Sequence, residues 1–163
     1  MTARIVSVTG RQIWDSRGRP TVEAEVVLEG GAIGRAIAPA GASRGDHEAI
    51  DLRDGGEAFG GFGVNKAVSG IGREIAPALI GLDAREQAAI DRVLCDLDGT
   101  PNKARLGANA VVAVSLAVLH AAADHAREPV WRWLAGGAKV RLPLPEIQIF
   151  GGGAHAGRRT DVQ

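Results

Sequence analysis

An α+β domain, strands first and helices after, is what this sequence predicts. Three observations carry that expectation. Residues 4–37 alternate apolar and polar side chains near period two, in three runs separated by turn residues. Residues 64–134 switch to helical spacing. Much of the glycine, 23 of 163 residues, is clustered where turns and loops would divide these runs.

The first strand is predicted over Arg4 to Trp14, where Ile5, Val6, Val8, Ile13 and Trp14 mix with polar residues. Asp15-Ser16-Arg17-Gly18-Arg19-Pro20 reads as a turn, since Asp and Ser bond nearby backbone, Gly relaxes φ and Pro restarts an extended segment. Thr21 to Leu28 alternates cleanly, with Val22, Ala24, Val26 and Leu28 on one face and Glu23 and Glu25 on the other. Gly30-Gly31 is expected to be a two-residue hairpin turn into a third strand, Ile33 to Ile37. The result is a three-stranded antiparallel meander.

Pro39 to His47 is a loop of small residues, after which the chain turns helical. Val64, Ala67, Val68 and Ile71 lie on one face of a helix over Val64 to Ile75, with Pro77 to Ile80 as a short continuation. Asp83 is expected to cap a helix from about Ala84 to Leu97. Leu106 to Ala126 is the longest helix, apolar on most sides, with small residues that allow close approach, so it belongs at the centre. Pro129 to Leu134 opens with proline in a short final helix.

These elements place one domain at residues 1–135. Residues 136–163 read as a linker, Ala135 to Ala138, followed by an extended apolar segment, Leu142 to Phe150, that begins a further domain.

Composition narrows the function. Lys+Arg and Asp+Glu both total 19, which argues against a protein built around nucleic-acid phosphates or an anionic membrane surface. The apolar segment Ala108 to Ala123 is interrupted by Asn109, Ser115 and His120 and is short for a bilayer. The opening residues do not read as a signal peptide, so a cytoplasmic protein is expected. Cys95, the single cysteine, sits in an apolar helical pattern and is expected to be buried and inert.

Two loops hold candidate chemistry. In Gly41-Ala42-Ser43-Arg44-Gly45-Asp46-His47-Glu48, Ser43 offers a hydroxyl and a carbonyl oxygen to a hard cation such as Mg²⁺; the plainer reading is a connector. In Gly152-Gly153-Ala154-His155-Ala156, His155 has the chemistry of an acid/base or a phosphate partner; the plainer reading is a loop histidine. Arg11, Arg17 and Glu23 flank the first hairpin, as a solvated face or as interface salt bridges. On the long helix, His120 reads as a satisfied helix residue and His125 as solvent-facing.

Taken in order, these segments resemble the enolases. Asp15-Ser16-Arg17-Gly18-Arg19-Pro20-Thr21-Val22-Glu23 is similar to their opening, and Pro39 to Glu48 to their small-residue loop. Ala76 to Gly81, Leu97 to Lys103, Leu106 to Ala110, Val114 to Ala117 and Gly152 to Ala156 follow in register across essentially the whole chain.

The resemblance implies an enolase-type capping domain followed by the first strand of an incomplete (α/β) barrel. It also implies Mg²⁺-dependent dehydration of 2-phosphoglycerate to phosphoenolpyruvate in glycolysis. By position Ser43 would be a metal ligand on the mobile loop, His155 a catalytic and substrate-binding residue at the phosphate end, and Gln163 a second substrate-binding residue. Arg11, Arg17 and Glu23 would form dimer salt bridges. The other metal carboxylates, the Lys base and the acid Glu would lie beyond residue 163, so the chain alone is expected to be inactive.

Departures from the family pattern are Arg19 for Asn, Ala40 for Ser, and Gly157-Arg158-Arg159 after His155. They leave room for two alternatives: an enolase-like paralogue acting on a phosphono-substrate, similar to carboxyphosphonoenolpyruvate synthases, or a non-catalytic cap that binds a partner subunit.

Overall fold

The computed structural model describes residues 2–41, 45–149 and 151–152. Three strands, β1 (Ile5–Trp14), β2 (Pro20–Leu28) and β3 (Ile33–Ile37), form one antiparallel sheet in the order β1-β2-β3. The predicted meander is therefore present, with the third strand at its predicted bounds.

Both hairpins use the same device. Asp15 and Leu28 each donate their N–H to a carbonyl four residues on, Arg19 and Ala32, while Gly18 and Gly31 donate back to Asp15 and Leu28. Each loop thus has three residues, closed by a glycine in the left-handed region (φ +69° and +84°). The expected two-residue turn at Gly30-Gly31 is corrected by one residue: Glu29 joins the loop, and Gly31 alone takes the positive φ.

After a short 3₁₀ turn at Ala58–Gly61, helix α1 (Asn65–Gly70) runs through a π turn (Ile71–Ile75) into α2 (Ala76–Leu79). Pro77 explains the wide turn. It cannot donate to the carbonyl four residues back, and its ring would crowd that carbonyl in a regular helix. Ile71 and Ile75, both fully buried, flank the sheet from this segment.

Helix α3 covers Gln87–Asp98. It begins later than the sequence suggests, because Asp83 does not cap it. The Asp83 carboxylate instead accepts the Arg85 N–H at 3.0 Å, two residues on, and the Asp83 carbonyl accepts from Glu86, which makes a turn ahead of the helix. Cys95 is exposed on this helix. The inward stripe runs through Ile90, Leu94 and Asp98, and Cys95 lies one residue, about 100°, off it.

Helix α4 (Ala108–Ala126) is the central element, as its composition predicts. It is long and apolar enough to cross a membrane, yet most of it is buried within this fold. Ala110, Ala113, Val114, Ala117, Val118 and Ala121 pack under Val22, Ala24, Val26 and Ala36 of the sheet. Contact is closest at Gly34, where an added Cβ would lie 2.0 Å from the Ala117 carbonyl oxygen.

Helix α5 (Val130–Ala135) follows, with Pro129 as the extended residue before it. Beyond Ala138 the chain carries no ladder pairing through Ile149, and Leu142 and Leu144 are more than nine-tenths exposed.

Candidate functional site

The chain leaves the sheet at the end of β3, and segments 38–40 and 50–52, which flank the small-residue loop, are tied down by side chains from elsewhere in the chain. On the incoming side, Ala38 donates its N–H to Val22, and its carbonyl accepts the hydroxyl of Thr21 at 2.7 Å. Thr21 is fully buried. One residue pair further on, the Arg17 guanidinium donates to the Ala40 carbonyl at 3.0 Å.

On the outgoing side, Asn109 holds Leu52 at two points. Its Oδ1 accepts the Leu52 N–H and its Nδ2 donates to the Leu52 carbonyl, each at 3.1 Å. Ile50 is fixed in the same way by backbone alone, donating to Asn102 and accepting from Ala108. Helix α4 therefore anchors the loop's outgoing stem directly through its first turn.

Arg53 links this stem to the first hairpin. Its guanidinium donates to the carbonyls of Pro20 (2.6 Å) and Phe62 (3.0 Å) and pairs with Asp51 at 3.0 Å. Asp54 caps the next segment, accepting the N–H groups of Asn65 and Lys66 at 2.8 Å. Burial pushes the Asp54 carboxyl up, but these hydrogen bonds outweigh it and hold its pKa below the ordinary value.

Asp98 plays the matching role in the turn that precedes α4. It is buried, and accepts from the Leu106 N–H at 2.7 Å, from the Thr100 N–H at 3.0 Å and from the Thr100 hydroxyl. Burial again raises its pKa, and the hydrogen bonds again win, leaving it lowered.

Of the residues the sequence singles out, Ser43, His155 and Gln163 lie outside the described residues. Arg11 and Glu23 stand directly opposite each other in the β1–β2 register and form an ion pair. Glu25 extends the pair into a ladder, reaching Arg11 and Arg35 on the outward face of the sheet. Arg17 stands apart from them, at the hairpin tip. His120 is satisfied as expected, its Nδ1 lying 2.7 Å from the Arg35 carbonyl. His125 is half-buried beside the Gly30 turn, where the sequence suggested a solvent-facing residue, because that turn folds back over the end of α4.

Sequence reasoning missed Thr21, Arg53, Asp98 and Asn109. The last carried a signal: a lone amide in an apolar helix requires partners, and the backbone of a crossing segment supplies both a donor and an acceptor. Among the described residues no cluster of three His, Cys, Asp or Glu side chains is placed to hold a metal ion.

The described geometry is thus a meander over a central helix with an anchored loop at one end. Residues 5–134 match the family described as "Enolase, N-terminal domain". That match spans well over half of the chain and includes every strand and nearly all of the helices, so the protein belongs to the enolase N-terminal domain family.

Proposed function

We propose that this chain is the capping part of an enolase-type hydro-lyase that dehydrates 2-phosphoglycerate to phosphoenolpyruvate with Mg²⁺, and that it forms no product by itself. The observation that supports this reading most directly is the anchoring of the 39–48 loop at both stems by Thr21, Arg17 and Asn109. Fixed stems restrict where a loop between them can reach, which is what a segment that closes over a substrate needs. In this reading Ser43 contributes to metal binding from that loop, and His155 and Gln163 contact the substrate. The remaining metal carboxylates and the base that removes the α-proton come from a barrel that the cap covers.

The role of the chain's own described residues is positional. Thr21 and Asn109 hold the loop ends without contacting substrate. Arg11, Arg17 and Glu23 join subunits into a homodimer in the same reading.

The test is an assay of Mg²⁺-dependent phosphoenolpyruvate formation from 2-phosphoglycerate. The 163-residue chain is expected to show none, and the chain joined to an enolase barrel is expected to show activity. Turnover by the chain alone would refute the division of labour, and an inactive joined protein that is folded and binds Mg²⁺ would refute the substrate.

A further inference from the structure

The tip of the first hairpin carries more positive charge than the fold uses. A cleft of about 340 Å³ opens there, lined by Asp15, Arg17, Arg19, Arg53 and Phe62 with Ala40 and Gly41. Three guanidinium groups thus share one small volume.

Their engagement differs. Arg53 gives Nη1 to two carbonyls and Nη2 to Asp51, the most engaged of the three. Among the described residues Arg17 gives one side-chain hydrogen bond, from Nη1 to Ala40. Arg19 gives no side-chain hydrogen bond to any described residue; its guanidinium carbon lies 4.5 Å from the centre of the Phe62 ring. Arg53 approaches the same ring at 6.0 Å. An aromatic face holds a guanidinium by its plane and leaves the N–H edge available for hydrogen bonding.

Asp15 is the opposing charge, and its position limits its effect. One of its oxygens accepts the backbone N–H groups of Arg17 and Arg19, both at 2.8 Å. Those bonds, the one from Arg19 foremost, lower its pKa, so it stays anionic and tied to the turn backbone. With Asp51 paired to Arg53, the five charged groups sum to +1, three arginines against two aspartates.

We propose that this cleft is an oxyanion site, formed by the Arg17 side chain and by Arg19 on its Phe62 platform, that takes a phosphate group. Guanidinium N–H pairs match tetrahedral and planar oxyanions by paired hydrogen bonds, and two arginines with donors that no described residue takes supply them from neighbouring positions on one turn. The site shares Arg17 with the loop anchor and the subunit contact of the dehydratase reading but uses no residue assigned there to substrate or metal, so phosphate binding and turnover are read separately.

The experiment titrates inorganic phosphate into the chain at constant ionic strength and follows backbone amides by heteronuclear NMR. Saturable shifts are expected at Arg17, Gly18, Arg19 and Phe62. Arg19→Asn keeps the backbone N–H to Asp15 and removes only the stacked side chain, so it should fold and bind phosphate at least about fivefold more weakly. Arg19→Lys keeps the charge without the fork and should fall between the two. Acetate separates the sources of an oxyanion: saturation by phosphate alone marks a phosphate-group ligand, and saturation by both extends the site to carboxylates. Shifts that stay linear with phosphate, or an Arg19→Asn chain that binds as tightly as the parent, would overturn the site.

Discussion

Asn109, at the start of the central helix, grips Leu52 by both its N–H and its carbonyl, so one side chain replaces a strand partner for a segment that has none. Asn109 is almost fully buried. Asn109→Ala would leave two backbone groups of Leu52 without their partner. The expected loss is about 2–4 kcal/mol, measured by urea denaturation, with faster hydrogen exchange at the Leu52 amide. Asn109→Asp keeps the acceptor and loses the donor, and should cost at least as much because it also buries a charge.

Gly34 sets the distance between sheet and helix. A Cβ there would lie 2.0 Å from the Ala117 carbonyl oxygen and 2.3 Å from the Ala121 nitrogen, and neither backbone atom can move without displacing α4. Gly34→Ala is expected to destabilise by at least about 3 kcal/mol or to prevent folding, as overpacking against backbone does. Gly31→Ala is the comparison. Its left-handed φ strains the new side chain but nothing lies within 4 Å, so about 1 kcal/mol is expected. Thermal denaturation of the two variants should separate them clearly.

The alternation of Val22, Ala24, Val26 and Leu28 made the buried face of β2 legible in the sequence, and the structure buries all four. The small residues of α4 likewise pointed to a central helix. What remained illegible depends on contacts distant in sequence. Asp83 looks like a helix cap, but its nearest donor is Arg85, and that local bond shifts the helix start to Gln87. The Leu52–Asn109 and Arg53–Pro20 contacts join residues 57 and 33 positions apart, which no spacing rule connects. Ser43 and His155 stood out from their loops and took their roles, as Gln163 did, from the resemblance; all three lie outside the described part of the chain.

Acid should unfold this protein through its turn carboxylates. The Arg85 side chain, with the Arg85 N–H, lowers the Asp83 pKa from 3.8 to about 2. Asp54 and Asp98 are lowered as well, by hydrogen bonds that outweigh burial. Each folded-state pKa lies below its unfolded value, so the stabilisation is fully present above about pH 4 and is lost as pH falls through the folded values. Stability measured by urea denaturation should therefore decline from about pH 4 towards pH 2. Asp98→Asn should flatten part of that decline while lowering stability at neutral pH.

Cys95 provides a direct check on the helix register of α3. The inward stripe of Ile90 and Leu94 leaves the thiol exposed, so a thiol reagent such as Ellman's should modify the native chain fully, without denaturant. Protection until unfolding would mean that α3 is rotated from the described register.

Arg11 and Glu23 distinguish a role in folding from a role between subunits. Their pair lies on the outward sheet face, with the Arg11 side chain 48% exposed, and solvent screening leaves such pairs little net stabilisation. Arg11→Ala should therefore leave the stability of the isolated chain nearly unchanged. If the charge ladder of Arg11, Glu23, Glu25 and Arg35 meets a second subunit, the same substitution would weaken self-association by a larger factor, because a charge left without its partner in a closed interface costs more than one in water. Sedimentation equilibrium of the parent and variant across a concentration series reads this difference. Equal dissociation constants for the two would remove Arg11 from the interface and leave the ladder as a feature of the sheet alone.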